Sequence, residues 1–161
     1  MTNKLPKAVV VLALAILCAY PNSVSAQTES LSNNQNKDSM KSFISIFEIP
    51  AIDLTRAVTF YQEILGIAIE TMEFPEIEMG IFPYEGQMVT GVIMKGEGYQ
   101  PAANGVTIYL NGGENLQVIL DKVEGNGGKI IVPKTSHADE SGFFAIFLDS
   151  EGNKIGLHSP N

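Results

Sequence analysis

Cysteine is almost absent from this sequence of 161 residues, in which Cys18 is the single example. If the N-terminal segment is removed after Ala26, as argued below, the mature chain has no cysteine at all. Such a chain cannot form a disulfide scaffold, bind zinc through thiolates or use a cysteine nucleophile. We therefore expect the hydrophobic core to supply the stability of the fold.

Basic residues are also few. Eighteen acidic residues stand against ten basic ones, and removal of Lys4 and Lys7 with the N-terminal segment leaves eight basic residues. So acidic a chain offers no electrostatic attraction to nucleic acid or to an anionic membrane surface. We expect a small-molecule ligand as the partner, and no nucleic acid.

The sequence contains no apolar run long enough for a membrane span. Its N-terminal apolar run, Ala8 to Tyr20, is shorter than the roughly 20 residues that crossing a bilayer requires, and Pro21 follows it. Lys4 and Lys7 precede the run, and small residues follow in "NSVSA". This order is typical of an export signal, so residues 1–26 are predicted to be a signal peptide.

The predicted signal implies export to the periplasm or to the extracellular space. An alternative is a lipoprotein signal in which Cys18 is lipidated, but the residue before it is Leu17, where a small residue is required. Residues 27–41 are rich in Ser, Asn and Gln and are predicted to be a disordered linker. The folded domain is expected over residues 42–161.

The folded part contains one pattern twice. The extended stretch "FISIFEIPAID" leads into a helical pattern, and "GVTIYLNGGEN" leads into a second one about sixty residues later. Asp53 and Asn115 are expected to cap the two helices, and Gly66 to end the first. Short apolar runs after each helix are predicted strands. The repeat predicts a pseudo-two-fold α+β domain with a cleft where its two sheets meet, and a first strand near Phe43–Ile49.

The strings "FEIPAIDLTRAVTFYQEILG", "GGKIIVPKT" and "GFFAIFLDSEGNKIGLHSP" resemble the vicinal oxygen chelate superfamily. This group includes glyoxalase I, extradiol dioxygenases and bleomycin-resistance proteins. The resemblance runs from about Phe43 to Pro160. It implies two βαβββ modules, each curling into a half-barrel-like sheet around a shared cleft. It does not imply one reaction, because this fold carries many.

The resemblance also implies four positions at which enzymes of this superfamily hold a divalent metal. Carried over residue by residue, they fall on Ile46, Thr107, Gly156 and either Val92 or Met94. None of these is a usual metal ligand. We therefore expect no metal and no other cofactor, with a divalent metal as the less favoured alternative.

Strand alternation predicts which polar groups lie beside those positions. Residues two apart on a strand share a face, so Glu48 should point to the same side as Ile46. In the second module, Tyr109 should point to the same side as Thr107, and His158 to the same side as Gly156. Glu48 and His158 are the candidate catalytic residues, as an acid–base pair or a displaced two-ligand metal site. The candidate ligand-binding residues are Glu48, Met94, Thr107, Tyr109 and His158.

Structural roles are the alternatives for the same side chains. Glu48 could be a carboxylate bonded to backbone or to Arg56, His158 a solvated strand end, and Tyr109 a core aromatic with a satisfied hydroxyl. His137 lies in the polar stretch "TSHADESG" and is expected to be solvated.

Two functions of different class remain from the sequence. The favoured one is an exported protein that binds a small, partly apolar molecule in the cleft between its modules without a metal. The alternative is a glyoxalase-type lyase or isomerase, or a dioxygenase-like enzyme, that uses Glu48 and His158, with or without a divalent metal. A third possibility is that a partner chain fills the cleft, as in a homodimer.

Overall fold

The computed structural model describes residues 42–161 of the chain. The predicted signal peptide and linker, residues 1–26 and 27–41, lie outside this range. The described part forms eight strands and two α-helices. The first module consists of β1 (Ile46–Pro50), α1 (Leu54–Leu65), β2 (Glu70–Glu73), β3 (Ile77–Ile81) and β4 (Thr90–Gly96). The second consists of β5 (Ile108–Asn111), α2 (Gln117–Val123), β6 (Lys129–Ser136), β7 (Phe143–Leu148) and β8 (Lys154–Ser159), with a 3₁₀ turn at Glu124–Asn126.

The two modules have the same topology. Each contributes one four-stranded sheet, in the orders β1-β4-β3-β2 and β5-β8-β7-β6. The strand before each helix pairs in parallel with the last strand of its module, and the other neighbours are antiparallel. The predicted pair of βαβββ modules in an α+β fold is confirmed.

The first helix forms where its spacing predicts. The Asp53 side chain accepts a hydrogen bond from the Arg56 N–H at 3.0 Å, and Gly66 ends the helix with a φ of 67°. The second helix begins at Gln117, one residue later than expected. Asn115 is therefore not the residue that flanks it, although its side chain accepts a hydrogen bond from the Gln117 N–H at 3.1 Å.

One hydrophobic core runs through both modules. The ring of Phe60 in α1 lies 6.0 Å from that of Phe147 in β7 and 5.1 Å from that of Tyr61. Each sheet therefore turns one face to the helices and the core. Its other face, called the helix-free face below, carries alternate residues such as the exposed Glu48, whose neighbour Ile49 is buried.

A turn of the second module is bonded to the start of α1. The Glu151 carboxylate accepts hydrogen bonds from the backbone N–H groups of Ile52 at 2.8 Å and Asp53 at 3.0 Å. It also accepts one from Nε of Arg56 at 2.6 Å. Helix N-termini carry free N–H groups that need an acceptor, and here the other module supplies it.

Asp149 and Asn153 extend the same connection into the core. Asp149 accepts a hydrogen bond from the Tyr61 hydroxyl at 2.7 Å, and Asn153 Nδ2 donates to the Pro50 carbonyl at 2.8 Å. Asp149 also accepts from the backbone N–H groups of Glu151 and Asn153, which fixes the turn. We call Asp149, Glu151 and Asn153, with their partners in the first module, the module joint.

Burial and neighbouring groups shift the pKa values of two side chains in the module joint, Glu151 and Tyr61. Burial alone would raise the pKa of the Glu151 carboxyl, but the Arg56 hydrogen bond and the N–H groups of Asp53 and Ile52 hold it below its ordinary value. Burial raises the pKa of the Tyr61 hydroxyl well above its ordinary value, and the Asp149 carboxylate raises it further. Tyr61 therefore remains a hydrogen-bond donor.

Substitution Glu151→Gln is expected to lower the free energy of unfolding by about 1–2 kcal/mol at pH 7, since a charged acceptor is lost. The folded-state pKa of Glu151 is lowered, so its contribution is present above the ordinary carboxyl pKa of about 4.3 and disappears as pH falls through the lowered value. Urea unfolding at pH 7 and at acid pH measures the difference. Glu63→Gln, at an exposed site of α1, is the control. A difference in unfolding free energy between the wild type and Glu151→Gln that stays constant at acid pH would contradict the assignment.

Candidate functional site

A cleft of about 1130 Å³ lies between the two modules. The first module contributes the aromatic side chains of Phe47 and Phe82 and the end of α1 at Leu65. The second contributes the whole of β5 and, from α2, Val118 and Ile119. The walls are mainly apolar, and the volume is that of a site for a drug-sized molecule.

A few polar groups interrupt these walls. Thr107, Tyr109 and Asn111 come from β5 and the residue before it, and Gln87 comes from the loop before β4. Glu114 is the charged side chain among the lining residues. The cleft therefore offers hydroxyl and amide groups to a ligand that is mostly apolar and is neutral or cationic.

The pseudo-two-fold symmetry of the two modules relates the position of the cleft to the position of the module joint. The β3–β4 loop, residues 82–89, corresponds in topology to the β7–β8 turn of the joint. The buried leucines Leu54 and Leu116 lie at equivalent positions at the starts of the two helices. Arg56 and Val118 each follow two residues later, so Val118 is the counterpart of Arg56. Within residues 42–161 no hydrogen bond links this loop to α2 or to the residues before it. Hydrogen bonds between the modules therefore close the junction at the start of α1, whereas the equivalent junction at the start of α2 has none among residues 42–161.

Two of the predicted ligand-binding residues line this cleft. They are Thr107, just before β5, and Tyr109, which is 48% exposed. The Tyr109 ring lies against Gly156, its partner in the register of β5 and β8, where a side chain would overlap the ring. The predicted metal position at Gly156 is therefore occupied by an aromatic ring from the neighbouring strand.

Glu48 and Met94 lie elsewhere, on the helix-free face of the first sheet. Glu48 Oε2 accepts a hydrogen bond from the Tyr99 hydroxyl at 3.2 Å, and Met94 is 1% exposed. Burial raises the pKa of Tyr99, and the Glu48 carboxylate raises it further. Of the structural alternatives for Glu48, the bond to Arg56 was wrong, because Arg56 is bonded to Glu151 in the module joint.

His158 lies exposed on the helix-free face of the second sheet, opposite Asn111 in the register. The structure therefore places Glu48 and His158 on different sheets, and in residues 42–161 no hydrogen bond or ion pair joins them. In the same range no group of three or more His, Cys, Asp or Glu side chains is placed to hold a metal ion.

Sequence reasoning missed most of the residues that line the cleft, among them Phe47, Gln87 and Val118. The signal that could have found them is the imperfect repeat. Arg56 has an apolar counterpart in Val118, so the bonded connection of one half has no equivalent in the other. When a polar contact between modules is present in one half of a two-fold repeat and its residues are absent from the other half, an open space is predicted at the second junction.

None of the helices described between residues 42 and 161 has both the length and the hydrophobicity needed to cross a bilayer.

A family model described as the Glyoxalase/Bleomycin resistance protein/Dioxygenase superfamily matches residues 44–157. The chain belongs to this superfamily. A glyoxylase-like domain-containing protein from Didymella fabae is 31% identical over 115 residues, which cover 68% of this chain and 88% of that protein. The resemblance stated from the sequence is confirmed.

Solved structures of the superfamily share the fold. A mutant of glyoxalase I from Zea mays superposes with a TM-score of 0.58 at 17% identity, covering 72% of this chain and 46% of that one. The chain therefore spans about half the length of the maize enzyme. An antibiotic binding protein from a Streptomyces species superposes with a TM-score of 0.56 at 22% identity, covering 74% of this chain and 97% of that one.

Proposed function

We propose that this member of the superfamily binds a small, partly apolar molecule in the cleft between its modules, without a metal. The observation that carries the proposal is the open counterpart of the module joint, walled by Phe47, Phe82 and Val118 and edged by Thr107 and Tyr109. An apolar cavity with a few hydrogen-bonding groups is the usual form of a small-molecule site. The antibiotic binding protein of the same fold is consistent with this class of function.

The side chains that line the cleft support the proposal that binding needs no metal. They supply hydroxyls, amides and one carboxylate, Glu114, and, within residues 42–161, include none of the imidazole or thiolate ligands that zinc, copper and nickel prefer. The resemblance to the superfamily places the four metal-holding positions of its enzymes on Ile46, Thr107, Gly156 and Val92 or Met94, which are not usual metal ligands.

We also propose that residues 1–26 are removed on export, to the periplasm or the extracellular space, which the lysines and small residues flanking the apolar run support. The mass of the exported protein tests this. A mature chain beginning at Gln27 is expected, whereas a lipidated Cys18 as the first residue would overturn it.

Substitution Val118→Arg is expected to weaken binding of a neutral apolar dye such as Nile red at least tenfold. Val118 is 62% exposed, so the helix tolerates the change, but the guanidinium places a charge against apolar walls. Fluorescence titration measures the dissociation constant, and saturating EDTA should leave it unchanged.

The matched control for this titration is Ile131→Arg, at an exposed aliphatic residue of β6 that does not line the cleft. Its affinity for the dye should equal that of the wild type. Equal affinity in the Val118→Arg variant as well would place the dye elsewhere and refute the assignment of the cleft.

The alternative function is a glyoxalase-type enzyme that uses Glu48 and His158, and it requires these two groups to meet. They lie on helix-free faces of different sheets, so a homodimer that pairs the first sheet of one chain with the second sheet of its partner would bring them together. Support comes from Ile46 and Met72, which expose apolar surface on the helix-free face of the first sheet.

If such a homodimer forms, substitution Met72→Asp is expected to convert it to a monomer, because a carboxylate would be buried in an apolar contact. Light scattering coupled to gel filtration reports the mass. Met88→Asp, at an exposed methionine of the β3–β4 loop that lies off the sheet face, is the matched control and should remain dimeric. A monomeric wild type would leave Glu48 and His158 apart and exclude the enzyme alternative in this form.

A further inference from the structure

The imidazoles of His137 and His158 meet on the second sheet. These are the two histidines of the chain. His158 lies on β8, on the helix-free face with Phe144 as its partner on β7, and His137 follows β6. Their ring centroids are 5.3 Å apart, and the ring planes are inclined by 46°.

The backbone of the β6–β7 loop holds His137 in place. Its N–H donates a hydrogen bond to the Gly142 carbonyl at 2.9 Å, and its own carbonyl accepts one from the Glu140 N–H at 3.1 Å. The ring packs against Phe144, with centroids 5.0 Å apart. The expectation of a solvated loop histidine was therefore wrong: the side chain lies against the sheet and is half-buried.

One nitrogen of this ring lacks a partner. His137 Nε2 is buried, and no residue in the range 42–161 forms a hydrogen bond with it. Buried polar atoms are normally paired with protein, water or an ion, so this nitrogen has the capacity to take one such partner. The lone pair of a neutral imidazole nitrogen is a preferred ligand for zinc, copper and nickel ions.

The separation of the two ring centroids is compatible with a shared metal ion. Zinc binds histidine nitrogen at about 2.0–2.1 Å, so with each centroid about 1.1 Å behind its nitrogen a tetrahedral angle places two centroids about 5.2 Å apart. The observed 5.3 Å agrees with this value. His158 is exposed, so its ring can rotate to present a nitrogen to the same ion.

We propose that His137 and His158 form a two-imidazole site for a borderline transition-metal ion such as Zn²⁺. Water or oxygen atoms of a small molecule would complete the coordination of the ion. The site is separate from the proposed ligand cleft, which neither histidine lines. It is also separate from the superfamily's metal positions at Ile46, Thr107 and Gly156.

The test is calorimetric titration of the EDTA-stripped, dialysed protein with zinc chloride alone. One zinc ion per chain is expected. Because the chain has two histidines, the Cε1–H resonances of both imidazoles can be followed by proton NMR, and both should shift with the first equivalent of zinc.

Substitutions His137→Asn and His158→Asn are each expected to weaken zinc binding at least tenfold, because each removes one of the two protein ligands. Cys18→Ser is the control, since its thiol is the other strong zinc ligand available in a chain that retains the N-terminal segment, and it should bind as the wild type does. Undiminished binding in either histidine variant, or imidazole resonances that zinc does not move, would overturn the proposal. Dye binding in the cleft should be unchanged in both histidine variants, so failure of this site is distinguishable from failure of the proposed function.

Discussion

The hydrogen bonds of Glu151 to the start of α1 are the constraint on which the arrangement of the two modules depends. A carboxylate with no exposed side-chain surface receives two backbone N–H groups and the Arg56 guanidinium. Removing it would leave those groups without an acceptor at a helix end, where the macrodipole favours negative charge. Asp149 and Asn153 carry the same connection to Tyr61 and Pro50, so the orientation of one sheet relative to the other is fixed by side chains rather than by strand pairing.

The difference between the two halves of the repeat explains why this molecule has a cleft at one junction of its modules and a hydrogen-bonded contact at the other. A perfect two-fold repeat would seal both junctions with the same polar contacts. In this chain Arg56 is replaced by Val118 at the second junction, and the β3–β4 loop forms no hydrogen bond there within residues 42–161. The apolar surface left uncovered supplies the walls of the cleft, so a local loss of symmetry leaves an open space where the other half has a structural contact.

The repeat, the first helix and the superfamily could be predicted from the sequence because each depends on local signals. Asp53, Gly66 and the helical spacing between them act within a few residues of one another, and they form as expected. The location of the cleft depends on contacts between residues far apart in sequence, such as Arg56 with Glu151, and periodicity carries no information on those. The surroundings of His137 were missed for the same reason, since only the pairing of β7 with β8 brings Phe144 and His158 beside its loop.

The distance in sequence between the partners of the module joint bears on the order in which the chain folds. Ile52 and Glu151 are separated by 99 positions, so the N-terminus of α1 receives the Glu151 acceptor only after synthesis has passed β7 of the second module. Contacts between such distant residues make folding slow, because a long loop must close before they form. An unfinished chain therefore has its first helix capped by Asp53 alone, and the acceptor for the Ile52 and Asp53 N–H groups is added with the last turn of the second module.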